Sequence, residues 1–369
     1  MNKPIFLLIT LFMITTLNEQ VAKAQSVSKL EWSTLPPIPD KIGFAGSFAG
    51  VAGEALLVAG GANFPDGGAP WTGSVKAWTD KIFVLESSEG KWKELGQLSQ
   101  ALGYGVSVNY KKSVILLGGS NEKGHHADVS MIDYKQGKIT ITNLPQLPQP
   151  IANTCGVLLG DVIYVLGGIV KPDDKTAGTN FWALDLASGQ KEWKSLPSWP
   201  GEGRMLSIAG ALNGSVYLCS GVALRDGQRK YLTDAYQYTP GSGWKNIADL
   251  PSAVAAAPSP AFALGKNQLL IFGGDDGVQA PNAATLKEKH PGFSKQILSY
   301  EQDKNCWSVK GEILNSKKED AVLNPNASIW APVTTTLTVW KGNVILPGGE
   351  VRPATRTPNV LMAKPVANK

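Results

Sequence analysis

The chain has 369 residues, a formal net charge of +5, 40 glycines and 24 prolines. The positive charge is spread along the chain without a basic block, which argues against a nucleic-acid partner and only weakly favours an anionic small ligand. Abundant glycine and proline with few long helical patterns favour short strands joined by tight turns, so we expect an all-β protein.

The first 24 residues have the pattern of a secretory signal peptide. Lys3 precedes an apolar run from Ile5 to Leu17, and Ala22 and Ala24 are the small residues that a signal peptidase reads. We therefore predict cleavage before Gln25. No later segment is apolar over the length that spans a bilayer, so the mature chain is predicted to have no membrane span and to be exported, most simply to a bacterial periplasm.

Six apolar runs, each closed by a pair of small residues, follow along the chain. They occupy residues 56–61, 115–119, 164–168, 217–221, 270–274 and 345–349. A repeat of about fifty residues, with one longer interval, is typical of four-stranded propeller blades of the kelch type. Paired glycines permit positive φ and a close approach of neighbouring backbone. The sequence predicts a six-bladed kelch-type β-propeller over residues 25–369.

The last unit lacks a fourth strand, because the chain ends soon after Leu361. The fourth strand of four other units carries a tryptophan: Trp92, Trp193, Trp244 and Trp307. Leu30-Glu-Trp-Ser-Thr-Leu35, near the N-terminus, has the same form as the stretch that begins at Trp92. We expect this N-terminal strand to complete the sixth blade, since such closure removes exposed sheet edges.

Three segments are longer than turns require. They are residues 63–78, 275–293 and 315–332. Long loops in a compact domain are commonly functional, so these are expected to wall a central pocket on the glycine-pair side.

An acid and an arginine leave the last glycine pair together. Glu350 and Arg356 are six residues apart, and Pro353 restricts the loop between them. A guanidinium keeps a neighbouring carboxylate ionised and oriented, as a general base or a substrate-carboxylate site requires. A surface ion pair is the alternative. The catalytic interpretation is favoured because all five arginines follow residue 200 and two of them lie in this loop.

Residues 349–357, Gly-Glu-Val-Arg-Pro-Ala-Thr-Arg-Thr, resemble the motif of bacterial sialic acid (N-acetylneuraminate) mutarotases, also called epimerases. The resemblance extends through residues 44–50, 57–62 and 98–107. In the usual family order the blade with this motif lies mid-chain, whereas here it is last, so the sequence resembles the cyclically permuted branch. The resemblance implies a periplasmic six-bladed kelch propeller acting on a small sugar acid, with Glu350 as the proton-transferring residue and Arg356 as its charged partner.

Other polar residues are weaker candidates for sugar binding. Asn63 and Trp71 could contact a sugar, Arg352 shares the loop of Glu350, and Asp275 either lines the pocket or caps a turn. The three histidines, His125, His126 and His290, are expected to be solvated loop residues. Adjacent histidines in a strand would point to opposite faces, so no metal site is predicted, and no cofactor is expected.

Three other functions are alternatives to this interpretation. A non-catalytic kelch propeller that binds a carbohydrate or a protein partner is the main alternative. A copper radical oxidase is disfavoured because the chain has too few histidines, and a sialidase because no Ser-x-Asp-x-Gly-x-Thr-Trp box occurs. The sequence leaves the oligomeric state open.

Overall fold

The computed structural model describes residues 27–189 and 191–367. Residues 1–24, the predicted signal peptide, lie outside this part of the chain. In the described part no helix has the length and apolar character needed to cross a membrane.

The described chain is almost entirely β-structure arranged as six four-stranded antiparallel sheets, each one blade of a propeller. Strand β1 spans Val27–Leu35. The following strands form blades I to III: β2 Phe48–Ala52, β3 Ala55–Ala59, β6 Lys81–Leu85 and β7 Lys93–Gln97 in blade I, with β4 Ala62–Asn63 and β5 Ala77–Trp78 as a separate pair; β8 Val106–Tyr110, β9 Ser113–Asn121, β10 Gly124–Lys135 and β11 Lys138–Asn143 in blade II; β12 Cys155–Leu159, β13 Val162–Leu166, β14 Phe181–Asp185 and β15 Lys194–Ser195 in blade III.

Blades IV to VI follow in the same order around the ring. Their strands are β16 Ile208–Leu212, β17 Ser215–Arg225, β18 Gln228–Thr239 and β19 Gly243–Ile247 in blade IV; β20 Phe262–Leu264, β21 Gln268–Gly274, β22 Ser294–Glu301 and β23 Cys306–Glu312 in blade V; β24 Thr338–Trp340, β25 Asn343–Pro347 and β28 Val360–Ala367 in blade VI, with β26 Glu350–Arg352 and β27 Thr355–Arg356 as a separate hairpin. The helices are short: α1 Ala283–Leu286 and 3-10 turns at Pro70–Thr72, Ala280–Asn282, Lys287–Lys289, Gln302–Lys304 and Pro325–Ala327.

The N-terminal strand closes the ring as the sequence predicted. Strand β1 pairs antiparallel with β28, placing Thr34 opposite Leu361, and so supplies the outermost strand of blade VI. The six-bladed all-β prediction, with the last blade closed by the N-terminal strand, is confirmed. Because the first and last strands share one sheet, blade VI has four strands like the other five blades.

Apolar side chains alternate between the two faces of each strand, and so every blade packs on both neighbours. Leu57 of blade I is fully buried against Leu116 and Ile132 of blade II, and its neighbour Leu56 packs towards Ile345 of blade VI. Equivalent clusters fill the other interfaces between blades. The core is therefore a circle of six sheet-on-sheet interfaces around an axis.

The repeated tryptophans tie neighbouring blades together. In each case the indole N–H donates to a backbone carbonyl that follows the outermost strand of the preceding blade. The pairs are Trp92 with Pro36 (2.7 Å), Trp193 with Pro145 (2.9 Å), Trp244 with Pro197 (2.9 Å) and Trp307 with Ala248 (2.8 Å). Each ring thus buries apolar surface while its polar atom stays hydrogen-bonded.

Six residues, one at the start of each blade, form a closed circle of backbone hydrogen bonds that we call the axial ring. Each N–H donates to the carbonyl of its counterpart in the preceding blade, over 2.7 to 3.0 Å. All six have positive φ, although five are not glycine. The members are Gly46, Tyr104, Asn153, Leu206, Ala256 and Thr334. Left-handed backbone costs a non-glycine residue about 1 kcal/mol, and the interblade hydrogen bonds offset that cost.

Candidate active site

One face of the propeller carries the ends of the second strands and the glycine pairs. The residue after each pair forms a β-bridge with the residue just before the axial ring, as Glu350 does with Val333. We call these six equivalent residues the rim positions: Ala62, Ser120, Ile169, Val222, Asp275 and Glu350. Acidic side chains occupy only two of the six, Asp275 and Glu350, and these lie on adjacent blades V and VI.

The glycine pair is required by the backbone that presents Glu350. Gly348 and Gly349 have φ of +64° and +105°. A Cβ on Gly349 would lie 2.7 Å from the carbonyl oxygen of Val333. Only glycine fits both the left-handed backbone and this close approach. The chain can therefore leave the core strand and bring Glu350 directly to the mouth of the propeller.

Glu350 and Arg356 face each other across the β26–β27 hairpin. Their residues are paired in the ladder, and Arg352 pairs with Thr355 nearer the turn. Directly opposed residues project on the same side of a two-stranded ribbon. The structure therefore brings together the two side chains that the sequence singled out.

The Glu350 carboxylate has two partners within the hairpin. Oε1 accepts a hydrogen bond from the backbone N–H of Ala354 over 2.8 Å and lies 3.4 Å from Nη1 of Arg356. The Glu350 side chain keeps 20% of its exposure, whereas that of Arg356 keeps only 5%. The acid can therefore meet a small molecule from solvent while the guanidinium supports it from behind.

Arg356 lies between the hairpin and blades I and II. Its Nη2 is 3.4 Å from the hydroxyl of Tyr104, and its guanidinium lies 4.9 Å from the ring centroid of Phe64. Burial alone lowers the pKa of this guanidinium, but the charge of Glu350 and the contact with Tyr104 outweigh it, so the pKa is raised. Nε is buried without a partner among the described residues. The site thus holds a charged arginine with one donor unused.

Tyr104 connects this pair to the axis. It belongs to the axial ring, which fixes its backbone at φ +63°. It also lines an axial cavity, together with residues at or just before the first strand of all six blades, such as Ser207 and Thr335. Glu350 and Arg356 lie outside that lining, so Tyr104 is the link between the cavity and the charged pair.

Arg352, on the same hairpin, makes a different set of contacts. Nη1 donates to the carbonyl of Glu288 over 2.7 Å, and Nη2 donates to the carbonyl of Val322 over 2.9 Å. Nε donates to the hydroxyl of Thr355. Glu288 in turn accepts a hydrogen bond from the indole of Trp71. Arg352 and Trp71, both sequence candidates for sugar binding, thus have protein partners, and together they join the three insertions 63–78, 275–293 and 315–332, which we call the loop wall.

Replacing Arg352 with lysine should loosen the loop wall. An ammonium cannot reach the two carbonyls that the planar guanidinium bridges, and losing one charged hydrogen bond costs about 2 kcal/mol. Local opening should then speed amide hydrogen exchange in the insertions 275–293 and 315–332 roughly thirtyfold, because 1.4 kcal/mol corresponds to a factor of ten. Arg225→Lys, at a 75% exposed side chain, is the control. Equal exchange in both variants would show that Arg352 does not hold these loops.

The remaining candidates also have partners. The amide nitrogen of Asn63, a buried residue, donates to Oδ1 of Asp40 (3.3 Å) and to the carbonyl of Gly43 (3.0 Å). Asp275 accepts a hydrogen bond from the Tyr231 hydroxyl over 2.7 Å and another from the backbone N–H of Gly277. The second contact is the turn cap that was the alternative for Asp275, so this rim acid is oriented by its own loop.

The expectation of solvated loop histidines is wrong. His125 and His126 lie within strand β10 and are half-buried, because the strand extends further than the pattern indicated. His126 contacts Oδ1 of Asn121 over 2.9 Å, whereas both ring nitrogens of His125 are buried without a partner in the described chain. His290 is 6% exposed. Across residues 27–189 and 191–367, no group of three or more His, Cys, Asp or Glu side chains could hold a metal ion.

His290 lies in the loop wall beside the hairpin. Its Nδ1 accepts a hydrogen bond from the N–H of Gly292 over 3.1 Å, so in the neutral ring Nε2 carries the proton. A Cβ on Gly292 would lie 3.2 Å from the carbonyl of Val351, the neighbour of Glu350. Burial lowers the pKa of His290 against the opposing charges of Asp275 and Glu350, and the net shift is downward. A neutral imidazole therefore borders the site.

Sequence reasoning missed Tyr104, Phe64 and His290 as neighbours of the charged pair. Tyr104 is 252 residues from Arg356 along the chain. Nothing in a local pattern connects positions so far apart. The fragment 98–107 contained Tyr104, but only the closed ring shows which blades adjoin the hairpin.

The fold and the site together define a six-bladed β-propeller with a carboxylate held against a buried guanidinium at its mouth. The model of the N-acetylneuraminate epimerase family matches residues 13–141 and 144–277, more than half of the sequence. The chain belongs to this family.

Curated relatives bear the same name. The N-acetylneuraminate epimerase of Haemophilus influenzae (strain PittEE) is 27% identical over 234 residues, covering 58% of this chain and 57% of the relative. That of Salmonella enteritidis PT4 is 39% identical over 228 residues, covering 58% and 56%. That of Salmonella arizonae is 43% identical over 197 residues, covering 47% and 49%. The chain thus spans about half the length of these relatives.

Proposed function

We propose that this protein interconverts the α and β anomers of N-acetylneuraminate by acid–base catalysis. The observation that carries the proposal is the Glu350 carboxylate, 20% exposed and held 3.4 Å from the buried Arg356 guanidinium at the propeller mouth. The names of the relatives supply the substrate class. The matched residues end at 277, before the hairpin, so the site assignment rests on the hairpin itself.

The reaction needs one proton to move between two oxygens on the same carbon. The anomeric carbon of the sugar acid carries a hydroxyl, the ring oxygen and the carboxylate. Glu350 accepts the hydroxyl proton as the bond from that carbon to the ring oxygen breaks, and the ring oxygen takes up a proton. The open keto form rotates and closes on its other face, and the proton movements reverse. Each step conserves atoms and needs no oxidant or metal.

Arg356 supports this chemistry from beneath the acid. Its guanidinium holds the Glu350 carboxylate in position through the 3.4 Å contact. We infer that Arg356 also stabilises negative charge that develops on oxygen, and its 3.4 Å contact with the hydroxyl of Tyr104 supports this role. Sugar anomers exchange unaided in water, so a single base contributing about 10²- to 10⁴-fold is sufficient.

We also propose export and a permuted blade order. Residues 1–24 carry the signal-peptide pattern, and cleavage before Gln25 would release the propeller into a periplasm. The resemblance places the Glu–Arg blade mid-chain in the usual family order, whereas here it is the last blade. A collinear match cannot follow such a rearrangement through the whole chain, and the match does stop at residue 277.

Proton NMR of the anomeric signals tests the function directly. A sialidase releases α-N-acetylneuraminate, and the decay of the α signal is followed with and without the mature protein. We expect a rate proportional to protein concentration and well above the uncatalysed rate. Unchanged exchange at saturating protein would reject the enzyme. If the sugar nevertheless bound, we would conclude that the protein is a non-catalytic propeller that binds a carbohydrate.

A further inference from the structure

Lys76 is a cation at the propeller mouth without an acidic partner. Its Nζ lies 4.0 Å from the ring centroid of Tyr104 and 4.9 Å from that of Trp78. No carboxylate in the described chain lies within 4.0 Å of it. Most of the ammonium's hydrogen-bonding capacity is therefore available to a ligand.

The local fold fixes where this lysine lies. Lys76 directly precedes β5, and β5 pairs with β4, so that Trp78 lies opposite the rim residue Ala62. The N–H of Thr79 then donates to the carbonyl of Gly61. The end of the blade I insertion is thereby anchored on the glycine pair. Lys76 extends from this anchor over Tyr104, whose hydroxyl contacts Arg356.

The two arginines of the hairpin already have protein partners. Arg356 is paired with Glu350, and the Arg352 guanidinium donates to carbonyls of the loop wall. Since the charges of Glu350 and Arg356 cancel, the positive charge of Lys76 beside Tyr104 remains unbalanced. An ammonium without a carboxylate partner suits the carboxylate of a ligand.

We propose that Lys76 binds the carboxylate of the sugar acid and so presents the anomeric carbon to Glu350. This inference rests on the proposed function, which it deepens by naming the group that selects an anionic sugar. Lys76 acts on binding and Glu350 on proton transfer. The two roles predict different kinetic changes and can be separated.

The experiment compares N-acetylneuraminate with its neutral methyl ester. Binding is measured by calorimetry and anomer exchange by NMR, for wild type, Lys76→Met and Lys76→Arg. Methionine keeps the apolar stem over Tyr104 but removes the charge. Lys76→Met should weaken binding of the acid and raise its KM about 10- to 100-fold, the loss expected for one charge-assisted contact, with kcat nearly unchanged. Lys76→Arg should retain most of the affinity.

The ratio of acid to ester affinity decides the outcome. Wild type should prefer the acid, and Lys76→Met should lose that preference, whereas the control Lys81→Met, at an exposed lysine of the same blade paired with Glu94, should keep it. A preference that survives in Lys76→Met overturns the inference, as does a wild type without preference. A wild type that prefers the acid through Lys76 but exchanges no anomers would reject the proposed enzyme and retain the carboxylate site.

Discussion

Replacing Glu350 with glutamine should reduce catalysed anomer exchange by about 10²- to 10⁴-fold, the contribution of a positioned general base. The amide keeps the shape of the side chain, and its oxygen can still accept the hydrogen bond from the N–H of Ala354. What it loses is the ability to take a proton. The measurement is kcat from NMR exchange kinetics. KM should change less than kcat, because glutamine keeps the shape of the side chain and an oxygen that accepts hydrogen bonds.

One further variant and one stability measurement are the controls for this result. Asp275 occupies the equivalent rim position on blade V but is oriented by Tyr231 and Gly277, so Asp275→Asn should retain most of kcat. Glu350→Gln also leaves Arg356 buried beside a neutral group, so its thermal unfolding must be recorded to confirm that it is folded. A folded Glu350→Gln with wild-type kcat would exclude Glu350 as the base. An equal loss in Asp275→Asn would assign the reaction to both rim acids.

Replacing Arg204 with leucine should lower the free energy of unfolding by about 3 kcal/mol, the low end for breaking a buried ion pair. Arg204 is fully buried, and its guanidinium forms two parallel hydrogen bonds with Asp234, of 2.8 and 2.7 Å. It also lies within 6 Å of the ring centroids of Trp199 (5.6 Å) and Tyr236 (5.3 Å). The low end applies because the Asp234 side chain keeps 30% exposure. Urea unfolding measures the change.

The pH dependence identifies the cause of that loss. Burial raises the pKa of Asp234, but hydrogen bonds from Arg204 and Tyr236 outweigh it, so the folded-state pKa lies below the ordinary value of 3.8. Such a group stabilises the fold above its unfolded pKa, and that contribution is lost as pH falls through the folded pKa. The difference between wild type and Arg204→Leu should therefore narrow as the pH falls below about 4.

A matched arginine of the same blade serves as control. The side chain of Arg225 is 75% exposed and lies 3.3 Å from Glu202, so Arg225→Leu should change stability by no more than about 0.5 kcal/mol. If Arg204→Leu unfolds at the same urea concentration as Arg225→Leu, the buried pair contributes nothing net. If the free energies of unfolding of wild type and Arg204→Leu differ by the same amount at all pH values, lost packing rather than the charge of Asp234 explains the effect.

Several parts of the fold could be predicted because they rest on short-range patterns. Alternating apolar residues determine strands, and a glycine pair marks the positive φ at each second-strand end. Trp92 and Trp193 recur at one position per unit because each unit repeats the same contact with its neighbour. The closure by β1 was predictable because Trp32 repeats that pattern in a place where only the last blade lacked a strand.

Other features depend on contacts that no local pattern encodes. Fourth-strand tryptophans repeat, but His125 and His126 occur once, so nothing indicated that β10 would extend and half-bury them. Arg352 resembled a ligand-binding arginine in the sequence, yet the folded chain surrounds it with the carbonyls of two insertions. An arginine's availability is decided by its neighbours.

By itself the sequence determined a closed six-bladed propeller and a loop carrying Glu350 and Arg356 six residues apart, because repeats and a short spacing act over short stretches of chain. Only the tertiary structure decided what surrounds that hairpin. Closing the ring places blade I beside blade VI and brings Tyr104, at the start of blade II, within reach of Arg356, while Lys76 reaches Tyr104. The physical reason is that the charge and exposure of each polar group are set by residues far away in sequence, which meet only when all six blades pack together.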